Sequence, residues 1–347
     1  MGNILDVICR PLGQFLYFVY NTVALHNYGL AIIIFTIVVK LVLLPLTLKQ
    51  YKSTTKMQSI QPLIQEIQKR YKNDKEKLNQ EMMKVYQENG VNPAGGCLPL
   101  LVQMPILISL YWVIVQPLKF MLSKTADQVT KIVEVATNAA VAADASGKLN
   151  AMQGYIKELF ALNYINENRS LLDQLSGFIS ANELINFNFL GLHLGKIASY
   201  KTADLFGEQA YIYLPLLLLP IIGVVTTFLS TKLSMPKKNP AASSGNQAGM
   251  ANSMSNSMMY IGPVMTLIFS FQLPAGVVLY WISGYVFQIF QQLYINKTIL
   301  KKHEPVEIRK EIIESKNEQP EPKQISDKNP AKGTNNKNSS KKSGKKK

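Results

Sequence analysis

The stretch AIIIFTIVVKLVLLPLTL, from Ala31 to Leu48, holds eighteen residues and a single charge, Lys40. A helix needs roughly 20 apolar residues to cross about 30 Å of hydrocarbon, and this run is close to that length. Three further regions repeat the pattern, near Leu98–Pro117, Tyr211–Thr231 and Met258–Ile295. The mean hydropathy of the chain is only +0.05, because most of its 37 Lys and Arg lie between the runs. That segregation, not the average, marks a multi-spanning membrane protein. The last region is too long for one helix, and LPAG (Leu273–Gly276) divides it. The expected fold is therefore an all-α polytopic membrane protein with spans at 28–48, 98–117, 211–231, 258–275 and 276–296. The fourth is short and is expected to tilt little or to thin the bilayer locally.

Residues 1–27 are apolar but carry Asp6, Arg10 and Pro11, with no signal-peptide pattern. They predict an amphipathic helix in the membrane interface, with Leu12, Phe15, Leu16 and Val19 on one face. An additional span is the alternative.

Basic residues orient the set. Nine Lys/Arg lie in 49–97, three in 232–257 without any acid, and fifteen from Lys297 onward. That places 27 of 37 on one side, which the positive-inside rule makes cytoplasmic. The N-terminus is then outside, the C-terminus inside, and 118–210 forms an extracytoplasmic loop with eight basic and nine acidic residues. Surface helices are expected in that loop. In 49–97, Met57, Ile60, Ile64, Ile67 and Tyr71 recur every three or four residues, and Leu78, Met82 and Val85 continue the stripe after Lys72–Asp74. This predicts a cytoplasmic helical hairpin, with Pro62 near a helix start or kink. A plain two-helix connector is the simpler alternative. Residues 232–257 form a Met/Ser/Asn-rich cytoplasmic loop, and 297–347 a basic tail too polar to bury a core.

Lys40 sits eight residues before Leu48, about 12 Å from the cytoplasmic end at 1.5 Å per residue. A lone ammonium at mid-bilayer costs roughly 2.5–3.5 kcal/mol on insertion scales. The five spans hold no Asp, Glu or His to pair with it. Gln103, Thr226, Thr227, Thr266 and Gln288 lie at comparable depth, while the outer halves are plainer. Together they predict an inner-leaflet hydrophilic groove, open to the cytoplasm and closed outside, with Lys40 at its base. For Gln and Thr alone, pairing between helices is the competing explanation. Without an acid, base or Ser–His pair in the membrane, intramembrane hydrolysis is disfavoured. Cys9, Cys97 and the three scattered histidines have no metal-ligand spacing, and neither metal nor cofactor is expected.

VVKLVLLPLTLKQYKSTTKMQSIQP, YKNDKEKLNQEMMKVYQENGVNPAGGCLPLLVQMPI, FLGLHLGK and LPAGVVLYWISG together resemble the YidC/Oxa/Alb membrane protein insertases. The resemblance covers most of residues 28–297, apart from much of the 118–210 loop. It implies five core spans, a cytoplasmic hairpin after the first, and a hydrophilic groove open to cytoplasm and lipid. It also implies insertion of membrane proteins, alone or with the Sec translocon, without a chemical reaction. The extra domain of Gram-negative members has no counterpart here, so the chain resembles the short, Gram-positive-like bacterial form. Lys40 stands where most bacterial members have an arginine, which keeps the charge but loses the five-donor fork. Thr231 stands where many members have a glutamine. The loop from Lys119 to Phe187 is longer than the resemblance leads one to expect.

The mechanism this implies begins with nascent membrane proteins meeting the hairpin, where Met57, Met82 and Met83 offer adaptable apolar contacts. Core filling is the alternative for Met57 and Met82. The substrate's polar tail then enters the groove of Lys40, Gln103, Thr227, Thr231 and Gln288. Its apolar segment leaves along the third and fifth spans past Tyr280 and Trp281, which would otherwise form an aromatic belt. The tail lysines Lys341, Lys342, Lys345, Lys346 and Lys347 would hold ribosomal RNA, bind anionic lipid or fix topology. A solute channel or transporter, or a non-catalytic assembly scaffold, are the rival functions.

Overall fold

The computed structural model describes residues 2–92, 98–143, 156–234 and 248–298, with the side chains of 2–5, 58, 98–103, 248–258 and 298 left out of the description. The chain is mostly helical. The tail lysines and the residues 144–155 lie outside the described residues.

Helix α2 (Tyr28–Val42) starts on Asn27, whose side chain accepts the Leu30 N–H at 3.0 Å. This is an N-cap, satisfying a donor the helix cannot satisfy itself. Helix α2 stops at Leu43 because Pro45 has no N–H for the Leu41 carbonyl. The chain bends by 60° there and continues as α3 (Leu44–Ser59) and α4 (Gln61–Arg70). The expected first span is thus two helices, with Leu44–Leu48 belonging to the second. Pro62 lies in the first turn of α4, and Asp74 caps α5 (Lys75–Glu88) by accepting the Lys77 N–H at 3.0 Å. Helices α4 and α5 pack over Ile60, Ile64, Ile67 and Val85, all in the stripe read from the sequence, joined by Val91, which is not.

Helix α6 (Leu98–Val115) leads into one turn, α7 (Pro117–Phe120). The following segment folds into α8 (Ala126–Ala143), α9 (Lys157–Glu167), the short turn α10 (Leu171–Gln174), a hairpin β1–β2 (Asn188–Phe189 and Leu192–His193) and α11 (Thr202–Phe206). These are not all surface helices. Leu159, Ala161, Leu162 and Ile165 of α9 are completely buried and belong to the same core as α1, α2 and α6. The two-stranded hairpin is a small departure from an all-helical fold.

Helices α12 (Ala210–Leu216) and α13 (Leu218–Ser234) make one nearly continuous rod of 25 residues. Its mean hydropathy of 2.3 makes it, among the described residues, the one stretch long and apolar enough to cross a bilayer by itself. Tyr211, Leu214, Leu218, Ile221, Val225 and Leu229 lie exposed along one side of it. Helix α14 (Ala248–Ser270) begins ten residues before the expected span, and α15 (Ala275–Thr298) packs between α13 and α2.

Two sequence motifs meet at the start of α15. The N–H groups of Ala275 and Gly276 donate to the carbonyls of Lys196 (2.8 Å) and Leu194 (2.9 Å), and Ile197 pairs with Pro274 in an isolated bridge. FLGLHLGK therefore satisfies the free amides that open the last helix. Helix α1 (Gly2–Asn21) lies against α2, α6 and α7. Asp6 near one end pairs with Lys119 at 2.9 Å, and the Tyr20 hydroxyl at the other accepts the Asn186 N–H at 2.9 Å. Leu16 and Val19, predicted on the apolar face, are buried, and Leu12 and Phe15 pack beside them.

Candidate functional site

Lys40 occupies the last turn of α2, just above the bend. It is half-buried, and among the described residues it has neither an ion-pair nor a hydrogen-bond partner. Gly284 of α15 faces it. A Cβ there would lie 3.5 Å from Lys40 Cε and 4.0 Å from Nζ, in ordinary contact, so a side chain larger than alanine's would meet the lysine. Gln288 follows one turn along the same face of α15 and is also half-buried. The Tyr51 hydroxyl of α3 is within hydrogen-bonding reach of Gln288 and of Ser234 at the end of α13. One turn further, Gln291 Nε2 donates to Thr47 Oγ1 at 2.9 Å, tying α15 to α3 across the bend. Polar groups from α2, α3, α13 and α15 thus converge along one side of α15.

Thr227 and Thr231 belong to the other side of this helix. Thr227 is 1% exposed and shares a 3.2 Å hydrogen bond with Thr266 of α14. The Tyr285 hydroxyl of α15 reaches both threonines. Gly262 lets α14 approach this cluster, since a Cβ there would sit 3.3 Å from the Thr227 methyl. Thr231 donates to the Thr227 carbonyl at 2.8 Å, and Ser270 to the Thr266 carbonyl at 2.6 Å. The geometry joins three helices through hydroxyls that are already satisfied. Thr227 is therefore not in the open part of a groove with Lys40, contrary to the grouping read from depth along the chain. Depth fixes how far a residue lies along a span but not which way it points.

The remaining candidates separate as well. Gln103 lies within α6, and its side chain falls outside the description. Met57 and Met82 pack against the core between α4 and α5, whereas Met83 is 52% exposed on α5. Tyr280 is 3% exposed and lies in the main core, so it does not present a sliding surface. Trp281 is half-buried, its ring edge-on to Phe269 at 6.1 Å. Tyr51, Tyr285 and Gly284 escaped the reading of the sequence. Tyr51 lies beyond the apolar run, where the bend hid its return to α15. A tyrosine and a glycine inside an apolar span carry no periodic signal.

A cavity of about 380 Å³ lies between α1, α2 and α6, lined by Leu12, Phe15, Val38, Val39, Val42, Leu43 and Ile106. It is wholly apolar and distinct from the polar line along α15. The C-terminal end of α6 carries a different charged site. Glu158 of α9 is 8% exposed, and its Oε2 accepts the Lys119 N–H at 2.9 Å. It also accepts the Leu118 N–H. Burial pushes its pKa up to about 7, against the lowering effect of those two amides and of the Lys119 charge.

A profile of the 60Kd inner membrane protein family matches residues 18–302, most of the chain. A protein of Oceanobacillus iheyensis named membrane protein insertase YidC is 32% identical over 281 residues, covering 80% of this chain and 77% of that protein. A Listeria innocua protein named membrane protein insertase YidC 2 is 33% identical over 282 residues, covering 80% and 67%. A Fusobacterium nucleatum protein named membrane protein insertase YidC is 30% identical over 295 residues, covering 84% and 98%. The matched region contains α2 through α15, and with them Lys40, its facing Gly284 and the hydroxyl cluster. The chain belongs to the family of the 60Kd inner membrane protein and the YidC membrane protein insertases.

Proposed function

We infer that this chain inserts newly made proteins into the membrane and assists their folding, alone or with the Sec translocon, without catalysing a chemical reaction. The carrying observation is Lys40. A half-buried ammonium without a counter-charge among the described residues is costly in lipid unless water or an incoming anion compensates it. A passing acidic segment supplies that compensation, which suits a transient guest rather than a permanent partner.

The proposed topology has five spans, built on α2, α6, α12–α13, α14 and α15, in a bacterial cell membrane. The N-terminus and the segment from α7 to α11 lie outside, and the α4–α5 hairpin and the C-terminus lie in the cytoplasm. The lysine count of the hairpin and tail supports this direction. The contacts of both ends of α1 with the α7–α11 side support an interfacial helix over a sixth span.

The groove runs along α15 between Lys40 and Gln288, with Tyr51 beside it, and Gln103 of α6 is assigned to it from the sequence alone. Thr227 and Thr231 hold its far wall together. Substrates meet the hairpin first, with Met83 the exposed thioether. The polar tail of the substrate is then drawn to Lys40. Attraction between unit charges 4 Å apart is about 4 kcal/mol at an effective dielectric near 20, enough to bias entry and small enough for release. The apolar segment passes into lipid along α13 and Trp281. The basic tail lysines serve ribosomal RNA or anionic lipid.

The test is reconstitution of the purified chain into liposomes with a small single-span substrate bearing an acidic tail. Insertion above empty liposomes is expected, and its absence overturns the function. Ion conductance without insertion favours a channel. A Lys40→Ala variant with full activity on every substrate overturns the role of the charge while leaving the fold intact.

A further inference from the structure

Two leucines hold a backbone conformation that disfavours them. Leu25, in the loop between α1 and α2, has φ +51°, and Leu190, at the tip of the β1–β2 hairpin, has φ +50°. The left-handed region crowds Cβ against the following carbonyl, so it falls mainly to Gly, Asn and Asp. Gly191 follows at φ +80°, and the pair of positive angles makes a two-residue type I′ turn whose first position favours Asn, Asp or Gly. Such a conformation persists where its surroundings over-determine it. Here Leu25 is 80% exposed and Leu190 86% exposed. Both residues are strained and unburied within the protein, which points to a partner outside it.

Their positions say which partner. Leu25 lies two residues before Asn27, the cap of α2. Phe189, beside Leu190, packs its ring against Gly29, two residues into the same helix. Phe206, 82% exposed, ends α11 just before α12 begins. All three tips therefore lie at the same ends of two helices, α2 and α12. From Tyr211 the exposed apolar line of α12–α13 runs on without interruption through Leu214, Leu218 and Ile221. Phe206 stands five residues before Tyr211, the first residue of that line. A water-facing loop would carry polar tips, and a protein contact would not need to follow the lipid-facing line of a span.

We propose that Leu25, Leu190 and Phe206 form an outer-leaflet anchor, inserting into the interfacial zone of the bilayer around the outer ends of α2 and α12. The anchor fixes the height of the bundle in the membrane. Hairpin β1–β2 and the Leu194–Lys196 carbonyls are continuous in sequence, so the same anchor also holds the amides that open α15. This rests on the proposed topology, in which these loops face outward.

The test uses nitroxide labels at Leu25→Cys, Leu190→Cys and Phe206→Cys, with Cys9 and Cys97 replaced by Ala. The protein is reconstituted in liposomes of phosphatidylethanolamine and phosphatidylglycerol. Collision rates with oxygen, which concentrates in lipid, are compared with those of a water-soluble nickel chelate. Val225→Cys on the exposed line of α13 and Asn79→Cys on exposed α5 are the lipid and water controls. The expected result is an oxygen-to-nickel ratio at all three tips several-fold above that at position 79. Tips that resemble position 79 while position 225 reads as lipid overturn the anchor and spare the spans. Tips closed to both reagents identify a protein contact and overturn it too. A water-like reading at position 225 overturns the topology and the anchor together.

Discussion

Replacing Glu158 by Gln tests how the α9 helix is held to the end of α6. The Glu158 carboxylate is 8% exposed and accepts the N–H groups of Leu118 and Lys119, and Lys119 in turn pairs with Asp6. Burial wins over these partners, and the pKa rises from 4.5 to about 7. The folded state therefore keeps the proton over a range where the unfolded chain releases it. Its contribution is fully present below pH 4.5 and is lost as pH rises through about 7. At about 1.4 kcal/mol for each tenfold change in proton affinity, roughly 3 kcal/mol of stability disappears across that range. Glutamine is neutral at every pH and its carbonyl still accepts an amide. The charged hydrogen bonds it gives up are already contained in the net shift. The Glu158→Gln variant should then be roughly 3 kcal/mol more stable than the parent at pH 8 and should lose this advantage toward pH 5. Thermal unfolding in detergent, followed by tryptophan emission at several pH values, reads both. A variant that keeps the parent's slope between pH 5 and 8 refutes the assignment of the slope to Glu158. One that is less stable at every pH shows that the charged hydrogen bonds outweigh burial.

Three other substitutions address the bundle. Gly284→Ala adds a methyl at ordinary contact distance from Lys40 and should leave insertion of an acidic-tailed substrate near normal, whereas Gly284→Leu should obstruct the lysine and reduce it sharply in the liposome assay. Thr227→Val removes the hydroxyl shared with Thr266 and Tyr285 and should cost about 1–3 kcal/mol of unfolding free energy in detergent, with Thr227→Ser near neutral. Gly195→Ala would drive a methyl into the Asn163 amide, whose Nδ2 donates to the Gly195 carbonyl at 3.0 Å; hydrogen exchange at Ala275 and Gly276 should accelerate as the neighbouring carbonyls shift.

The apolar runs were legible because a span must be apolar over a fixed length, and the hairpin because its stripe recurs every three or four residues. Lys40 stood out for a related reason, as a charge without a partner in any span. What escaped has no such period. The bend at Leu43 depends on a single proline, which as readily marks a helix start as a kink. The early start of α14 at Ala248 was hidden because a polar helix with Ser and Asn reads as a loop. Grouping Thr227 with Lys40 failed because each side of α15 faces a different neighbour. The folded segment from α7 to α11 escaped most fully. Its attachments, such as Lys196 to Ala275 and Glu158 to Leu118, join residues far apart in the chain, and nothing local announces them.

Those long-range attachments bear on direction. Helix α15 is held at its first turn by backbone carbonyls of Leu194 and Lys196, which cannot move without unpairing two amides. Near its other end the ties to α3 among the described residues are side-chain bonds, Gln291 to Thr47 and the Tyr51 hydroxyl within reach of Gln288, with room at Gly284. Each such bond between neutral groups contributes about 1 kcal/mol, whereas each buried amide left unpaired at the first turn costs about 1–3 kcal/mol. On the proposed topology the outer end of this helix is fixed and the inner end adaptable. A substrate arriving from the cytoplasm meets the end that yields, with the Lys40 charge just beyond it. Its passage then stops against a cap that does not. That difference in rigidity favours one-sided entry and lateral release into lipid, and it requires no gate on the outer side.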